Sequence, residues 1–373
     1  MSNYRICTKS VMDTIADPDI SFDEDGVCNY YYDYQAKVPQ RLFHDDPAQI
    51  ERIVEEIRKK GRGKDYDCLI GISGGVDSTY VAYLVKSFGL RPLAMHFDNG
   101  WNSELAIKNI ENTLRKLNID LFTHVIDWEE FKSLQLAFLH ASTPDGEIPT
   151  DHAIFALLFG IANKHNIKYI INGNNFSTEF VMPQTWSYGH IDWKYIRYIN
   201  SRFGTRSLPT YPNITLSKYL YYFSIKRIRI LSILNYLPYD KMAAMDLLKK
   251  ELDWKYYGGK HYESIYTRFY QGFILPRKFG IDKRKAHLST LIFSGQITRE
   301  QALEELAKPV YPEGMLEEDK TFVLKKLDLS QEAFDSIMKA PTKTYRDYPN
   351  QSAMLGLLKS QLNKLRERRI LHS

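Results

Sequence analysis

The chain is poor in cysteine, with three in 373 residues. Cys7, Cys28 and Cys68 cannot build a disulfide framework, and a reducing cytoplasm is the expected setting. No apolar run reaches the length of a membrane span, and the N-terminus lacks the apolar core of a signal peptide. The most apolar long stretch, 218–237, is interrupted by Lys226, Arg227 and Arg229. Strong charge of either sign is also missing. A net charge of +5 suits a small anionic substrate and gives little support to a nucleic-acid partner. Internal repeats and low-complexity tracts are absent. What remains, 44% apolar and 25% charged residues, is an ordinary globular composition, long enough for one large domain with a second unit or large extensions.

The most informative stretch is Ser73-Gly74-Gly75-Val76-Asp77-Ser78, between an apolar run (Cys68–Ile72) and a helical pattern carrying Val81, Ala82, Leu84 and Val85. Strand, glycine turn and helix N-terminus make a phosphate cradle, because glycines admit close backbone approach and unpaired N–H groups attract anions. The lysine of the common nucleotide loop is missing, and an aspartate stands where a metal could bridge. The pattern resembles the PP-loop of ATP pyrophosphatases, which cut ATP between its α and β phosphates. A plain Ser/Gly turn between strand and helix is the structural alternative. The resemblance implies that Ile72, Ser73, Gly74, Gly75, Val76, Asp77 and Ser78 bind ATP.

Around this loop strands and helices alternate. Strands are expected at 68–72, 93–97, 122–126 and 169–172, and helices at 46–61, 78–88, 103–117, 127–139 and 151–165. That order implies an α/β fold, a doubly wound parallel sheet, and the resemblance of the loop implies that it is of the adenine nucleotide alpha-hydrolase-like kind. An irregular segment (1–45) precedes this unit (46–212), and a mostly helical region (213–373) follows. Residues 181–212 read as loop. Helices are expected at 217–234, 240–251, 262–271, 283–293 and 298–307.

Ligands in such sheets sit at the carboxyl ends of the strands, where three further ends carry polar residues. His96, Phe97 and Asp98 suit the nucleotide, and Asn99 and Trp101 the substrate. Gly173 and Asn174 join the nucleotide set, Asn175 the substrate set. Asp127 equally suits simple capping of the next helix. Asp77 and Glu179 are candidate magnesium ligands, since phosphoryl chemistry on ATP needs a hard cation held by one or two carboxylates. Pro149-Thr150-Asp151-His152 opens a helix and leaves two roles open. Thr150 or Asp151 caps it, with His152 exposed, or Asp151 and His152 sit near the reacting centre to position ammonia or substrate. Downstream, Gly258-Gly259-Lys260-His261 and the basic residues after it are either a solvated face or part of the site. In the second case Lys260 and His261 are catalytic, Lys278 and Lys283 cover phosphates, and Arg268 binds substrate.

These blocks, together with Cys7-Thr8-Lys9-Ser10, Phe22-Asp23, Gly26-Val27-Cys28-Asn29 and His96–Asn102, resemble the N-acetyl sugar amidotransferases of bacterial surface-polysaccharide and nonulosonic-acid pathways. The likeness keeps its order from the N-terminus to about Leu306. It implies an ATP- and Mg2+-dependent conversion of a sugar N-acetyl group to an acetamidino group. The substrate implied is a UDP-linked diacetamido uronic acid or a relative, and the ammonia source a glutaminase similar to the histidine-biosynthesis amidotransferase. One departure stands out. The family commonly begins with two Cys-x-x-Cys pairs that suit zinc, but here Ser10 and Tyr31 replace the second cysteine of each pair. No tightly bound zinc is therefore expected.

Overall fold

A computed structural model describes residues 4–38, 42, 46–259, 262–312 and 314–357. Five strands, β1 (Cys68–Gly71), β2 (Pro92–Asp98), β3 (Asp120–Val125), β4 (Tyr169–Asn172) and β5 (Arg229–Ser232), form one sheet in the order β3-β2-β1-β4-β5. All neighbours are parallel, with Leu69 opposite Leu93 on one side and Ile170 on the other. The chain winds outward from β1 to β3, then returns to place β4 against the free side of β1. That reversal makes the β1/β4 boundary the switch point of the sheet, where a crevice opens at the carboxyl ends.

The strands divide the core by their two-residue period. Leu69, Leu93, Met95, Phe97 and Ile170 face one layer, with the helices Trp128–Ala141, Ile148–Lys164 and Trp193–Phe203. Cys68, Ile70, Ala94, Tyr169 and Ile171 face the other, with Pro47–Gly61, Val76–Ser87, Glu104–Leu117 and Lys241–Leu252. Local chemistry sets the helix starts. Asp46, Ser103, Asp127 and Asp240 each accept a backbone N–H of the first turn, so Asp127 fills its capping role.

Four expectations require correction. Residues 181–212 hold the helix Trp193–Phe203, capped by Asp192, whose Ile196 and Ile199 are buried; its aromatic content hides the helical spacing. The continuous helix expected at 217–234 does not form. Leu216–Leu220 is α-helical and Tyr221–Ile225 π-helical, Arg227 takes a positive φ of 55°, and the chain enters β5. The sheet therefore continues past residue 212. The segment expected to be one helix at 262–271 is α-helical over Ile265–Phe269 and π-helical over Tyr270–Phe279. The N-terminal segment, expected to be irregular, includes the helix Asn29–Lys37.

The C-terminal helices pack over the strand ends, fixed by buried charge. Arg268 donates two hydrogen bonds of 2.6 Å to Asp319, which also accepts from the Tyr311 hydroxyl. The side chains of Arg268 and Asp319 are only 13% and 8% exposed. Removing one partner of such a pair strands a buried charge, at a cost of about 3–5 kcal/mol. Asp319→Ala should lower unfolding stability by that amount in urea titration. A loss below about 1 kcal/mol would assign the packing to the apolar contacts instead.

Candidate functional site

The loop after β1 sits at the switch point. Ile72 N–H still pairs with Met95 O (2.9 Å), then the chain turns through Gly74 at φ +79° into the helix Val76–Ser87. A Cβ on Gly74 would stand 2.5 Å from Ala106 O, so both backbone hand and space demand glycine. The loop is closed by its own hydroxyls. Ser73 Oγ and Ser78 Oγ lie 3.1 Å apart, Gly75 N–H donates to Ser73 Oγ (3.3 Å), and Val76 N–H donates to the Tyr257 hydroxyl (3.3 Å). Gly74 O is held by Trp254 Nε1 (2.9 Å). Donors at a helix N-terminus, met only by exchangeable hydroxyls, form a receptive anion site.

Asp77 points toward the β4 side. Tyr239 donates a hydrogen bond to it, and burial followed by the charges of Asp77 and Glu179 pushes the Tyr239 phenol well up. A Cβ on Gly173 would lie 2.9 Å from Asp77 Cβ, so this glycine gives the helix start its room against β4. Both carboxylates act on the Tyr239 phenol. Two carboxylates plus phosphate oxygens fit Mg2+, which keeps few protein ligands. No cluster of three or more His, Cys, Asp or Glu occurs among the described residues.

Beside the loop opens a cavity of about 380 Å³. One wall is Ile72, Ser73 and Ser78 with His96, Phe97, Asn99 and Asn102 from the end of β2. A second comes from the first two turns of Ile148–Lys164 and its cap: Glu147, Thr150, Asp151 and Ile154. The third is Glu263, Ser264, Thr267 and Gln271, with Lys283 from the start of Lys283–Phe293. His96 Nδ1 lies 3.1 Å from Ile72 O, which can only accept, so Nδ1 carries the proton and Nε2 accepts from Asn102 (3.2 Å). Asn99 bridges Thr150 Oγ1 (3.1 Å) and Trp101 N–H (3.2 Å). Asp98 accepts from Gly100 N–H and Asn102.

The helix starts at Ile148, three residues before the expected position, so Thr150 and Asp151 are first-turn residues rather than caps. Asp151 is exposed at this wall. The protein packed around it, then Glu147 and Asp145, push its carboxyl up, with Lys283 pulling the other way. Lys283 reaches Glu147 at 3.1 Å, which also accepts from Gln271 (2.7 Å). Burial works against the Lys283 charge, but Glu147, Asp145 and Asp151 more than offset it and raise its affinity for the proton.

Several candidates stand elsewhere. His152 is fully buried, stacked on Trp193 and Tyr211; its Nδ1 faces His190 O and its Nε2 accepts Ile214 N–H (3.1 Å). It holds the helix, not the reacting centre. Trp101 is 1% exposed with Nε1 on Gln135 (2.7 Å), so its side chain is core. Asn175 is buried and caps the turn at Thr178, while Asn174 is exposed beyond β4. Lys278 donates to Ile337 O and Ala340 O, closing the helix Gln331–Lys339, and Arg268 is committed to Asp319. These charges find partners some fifty or more residues on, which local reading cannot see. Lys260 and His261 lie outside the described residues. Reading the sequence missed Glu147, Asn102, Glu263, Thr267 and Gln271 as cavity residues, although each borders or lies in a block that drew notice. Tyr239 carried no signal, and Tyr257, at the head of the Gly258-Gly259 block, was given no role.

The N-terminal segment forms two knuckles. Cys7 Sγ accepts the N–H groups of Lys9 (3.4 Å) and Cys28 (3.2 Å), and Ser10 Oγ faces Cys28 Sγ at 3.7 Å. The Cys28 contact lowers the Cys7 thiol and raises that of Cys28. Two thiols and a serine hydroxyl do not make a four-thiolate zinc set.

Sheet order, loop and helix N-terminus define an α/β protein with a parallel sheet and a glycine loop at its switch point. Its C-terminal part is more specific: residues 263–365 match the family described as LPS biosynthesis protein WbpG-like, C-terminal domain. An uncharacterized protein of Methanocaldococcus jannaschii is 25% identical over 281 residues, 72% of this chain and 82% of its own. A GMP synthase [glutamine-hydrolyzing] of Pyrobaculum aerophilum is 42% identical over 74 residues, 20% of this chain and 14% of its own. A tRNA-specific 2-thiouridylase MnmA 2 of Fusobacterium nucleatum is 28% identical over 120 residues, 30% of this chain and 34% of its own. Among solved structures, an NH3-dependent NAD synthetase of Campylobacter jejuni aligns over 79% of this chain and 96% of its own, at 15% identity and a TM-score of 0.29.

Burial lowers His152 and His190 from the ordinary 6.5 to about 4. The unfolded chain therefore takes up these protons first, so stability is full above about 6.5 and falls as pH drops toward 4. Urea midpoints measured across that range should show the decline. His152→Phe, which keeps a stacked ring without the titration, should flatten part of it; an unchanged slope would remove His152 from the cause.

Proposed function

We propose that the protein is an ATP-dependent amidotransferase that turns a sugar N-acetyl group into an acetamidino group, with a UDP-linked diacetamido uronic acid or a relative as substrate. The observation that carries this reading is the cavity itself. One wall is the PP-loop, and the facing wall, Glu263 to Lys283, belongs to the segment matching an LPS biosynthesis domain. A phosphate-releasing loop thus faces a surface shared with polysaccharide biosynthesis proteins.

The chemistry follows from the walls. An amide oxygen is a poor leaving group until it is adenylated. On this reading the N-acetyl oxygen attacks the α-phosphate, and pyrophosphate leaves onto the loop. Its oxygens replace the Ser73 and Tyr257 hydroxyls as acceptors for the Gly75 and Val76 N–H groups. Asp77 and Glu179 would hold magnesium, which supplies charge neutralisation at the leaving phosphates. Lys283, kept protonated by its carboxylate neighbours, faces the charge that builds in the transition state. Asn99, Asn102, Thr150, Thr267 and Gln271 offer the polar groups a sugar needs for orientation. Ammonia then displaces AMP.

The thiouridylase likeness favours tRNA thiolation as a second reading. That chemistry usually calls for a persulfide cysteine at the site. Cys68 is buried in β1, its thiol pushed up by burial, and Cys7 and Cys28 lie in the N-terminal knuckles; none lines the cavity. The amidotransferase reading is the better supported.

Candidate UDP-sugars incubated with the protein, ATP and ammonium should yield a product lighter by the difference between an oxygen atom and an NH group, with AMP and pyrophosphate. Asp77→Ala should cut that rate on the order of a hundredfold while leaving the fold intact. Full activity in the variant would dismiss the metal pair, and no mass change with any N-acetylated UDP-sugar would dismiss the reaction.

The ammonia source in this reading is a separate glutaminase. None of the three cysteines lies in the cavity, and amidine formation at low free ammonia gains from local delivery. The isolated chain should use ammonium but not glutamine, and adding the cognate glutaminase should make glutamine effective at much lower concentration. Glutamine-dependent turnover by the chain alone would refute the partner.

A further inference from the structure

Away from the crevice, at the amino ends of β4 and β5, lies a second pocket of about 270 Å³. Ala162, Ile167 and Ile228 give it apolar lining, Asn163 and Asn166 amide groups, and Lys168 and Lys226 positive charge. Lys168 immediately precedes β4 and Ile228 precedes β5, and Arg229 N–H donates to Lys168 O (2.8 Å) where the two strands start. Two further lysines stand close. Burial, then Lys168 and Lys60, lower the proton affinity of Lys64, and burial, then Lys226 and Lys60, lower that of Lys168. None of these four lysines forms an ion pair with a carboxylate among the described residues. The acids nearest in sequence are engaged elsewhere: Glu56 accepts from the Tyr169 hydroxyl (2.6 Å), and Asp65 acts on Tyr66 and Arg91.

Part of this charge serves the fold. Lys64 Nζ donates to Asn166 O (2.8 Å), and Lys168 Nζ donates to Lys226 O (3.0 Å). An ammonium has three donors, and one carbonyl takes one of them. The remaining charge is gathered from three separate parts of the chain, and like charges held together are stabilised by an anion that enters from outside.

A second feature says which anion. Tyr221–Ile225 is a single π-helical turn, and Lys226 N–H closes it on Tyr221 O (3.1 Å). Lys226 Nζ lies 5.6 Å from the Tyr221 ring centre, so the pocket wall continues into an apolar rim. On that rim Tyr221 is 45% exposed and Ile225 69%. Inorganic phosphate would gain nothing from an aliphatic side chain standing in water beside its site. A lipid surface would, since interfacial anchors join apolar groups to lysines that meet the headgroups, with tyrosine at headgroup level. We propose that this pocket and its rim dock the protein onto a membrane surface of anionic phospholipid, with headgroup phosphates among Lys60, Lys64, Lys168 and Lys226 and with Tyr221 and Ile225 at the acyl boundary. The crevice opens at the opposite ends of the strands, so docking here leaves the cavity clear for dissolved substrates. The assignment stands whichever reaction the cavity performs.

Co-sedimentation of the full chain with vesicles of phosphatidylcholine, with and without phosphatidylglycerol, tests this. Expected are binding to the mixed vesicles that weakens as salt is raised, and none to phosphatidylcholine alone. Lys60→Gln combined with Lys226→Gln should weaken the binding about twentyfold, at about fivefold for each lysine near the surface. Ile225→Ser should weaken it about fivefold through lost apolar burial, with urea midpoints equal to the parent's in both variants. Ile225→Ser binding vesicles as the parent does would mark a plain anion site and overturn the lipid assignment. Parent-like binding by the lysine variant, equal binding to phosphatidylcholine alone, or no binding to either vesicle would overturn it as well. Retention of bulk tRNA through the same lysines, without vesicle binding, would overturn it in favour of nucleic acid.

Discussion

The site depends on a short backbone seam. Ser103 N–H donates to Glu263 O (2.8 Å), Ile265 N–H donates to Trp101 O (2.9 Å), and Asn102 pairs with Ser264 as an antiparallel bridge. The strip after β2 is thereby zipped to the start of the C-terminal helices across more than 160 residues of chain. Two of the cavity's three walls are joined through it. Trp101 fills the core beneath, between Trp128 and Tyr266, and Lys326 donates to Gly100 O while lying 4.9 Å from the Trp101 ring centre. The Trp101 side chain fixes the seam so that its neighbours Asn99, Asn102 and Glu263 can face the cavity.

Given the seam, the electrostatics of the crevice sort by side. The helix N-terminus after the loop carries partial positive charge, equivalent to about half a unit. Asp77 and Glu179 lie toward β4, and Glu147, Asp151 and Glu263 line the other side. Lys283, paired with Glu147, is the one lysine lining the cavity among the described residues.

Sequence reading located the parts of this arrangement that are local. The loop, four of the strands and the strand-end polar residues were legible because their signals, apolar runs, glycine pairs and capping side chains, lie within a few residues. β5 was not, since its four residues follow an apolar stretch with helical spacing, and only the left-handed Arg227 separates the two. Charge was the least legible. Arg268, Lys278 and Lys283 look alike in sequence, yet Asp319, two carbonyl groups at 337 and 340, and Glu147 give them three different fates. A basic residue reads as a phosphate ligand until its distant partner is known. His152 failed for the opposite reason: a polar residue in a functional-looking block proved to have both ring nitrogens occupied.

The N-terminal knuckles bear on the same cavity from behind. Lys285, one turn from the base of the helix that presents Lys283, is paired with Asp13, and Val11 N–H donates to Ser289 Oγ (3.2 Å) on that helix. Arg299 reaches the carbonyls of Cys7 (3.3 Å) and Ser10 (3.0 Å). The segment is held by hydrogen bonds to sulfur and by these charged contacts. Without Asp13 and Val11 in place, the helix bearing Lys283 would lose its outer support, and that lysine would lose its registry with Glu147.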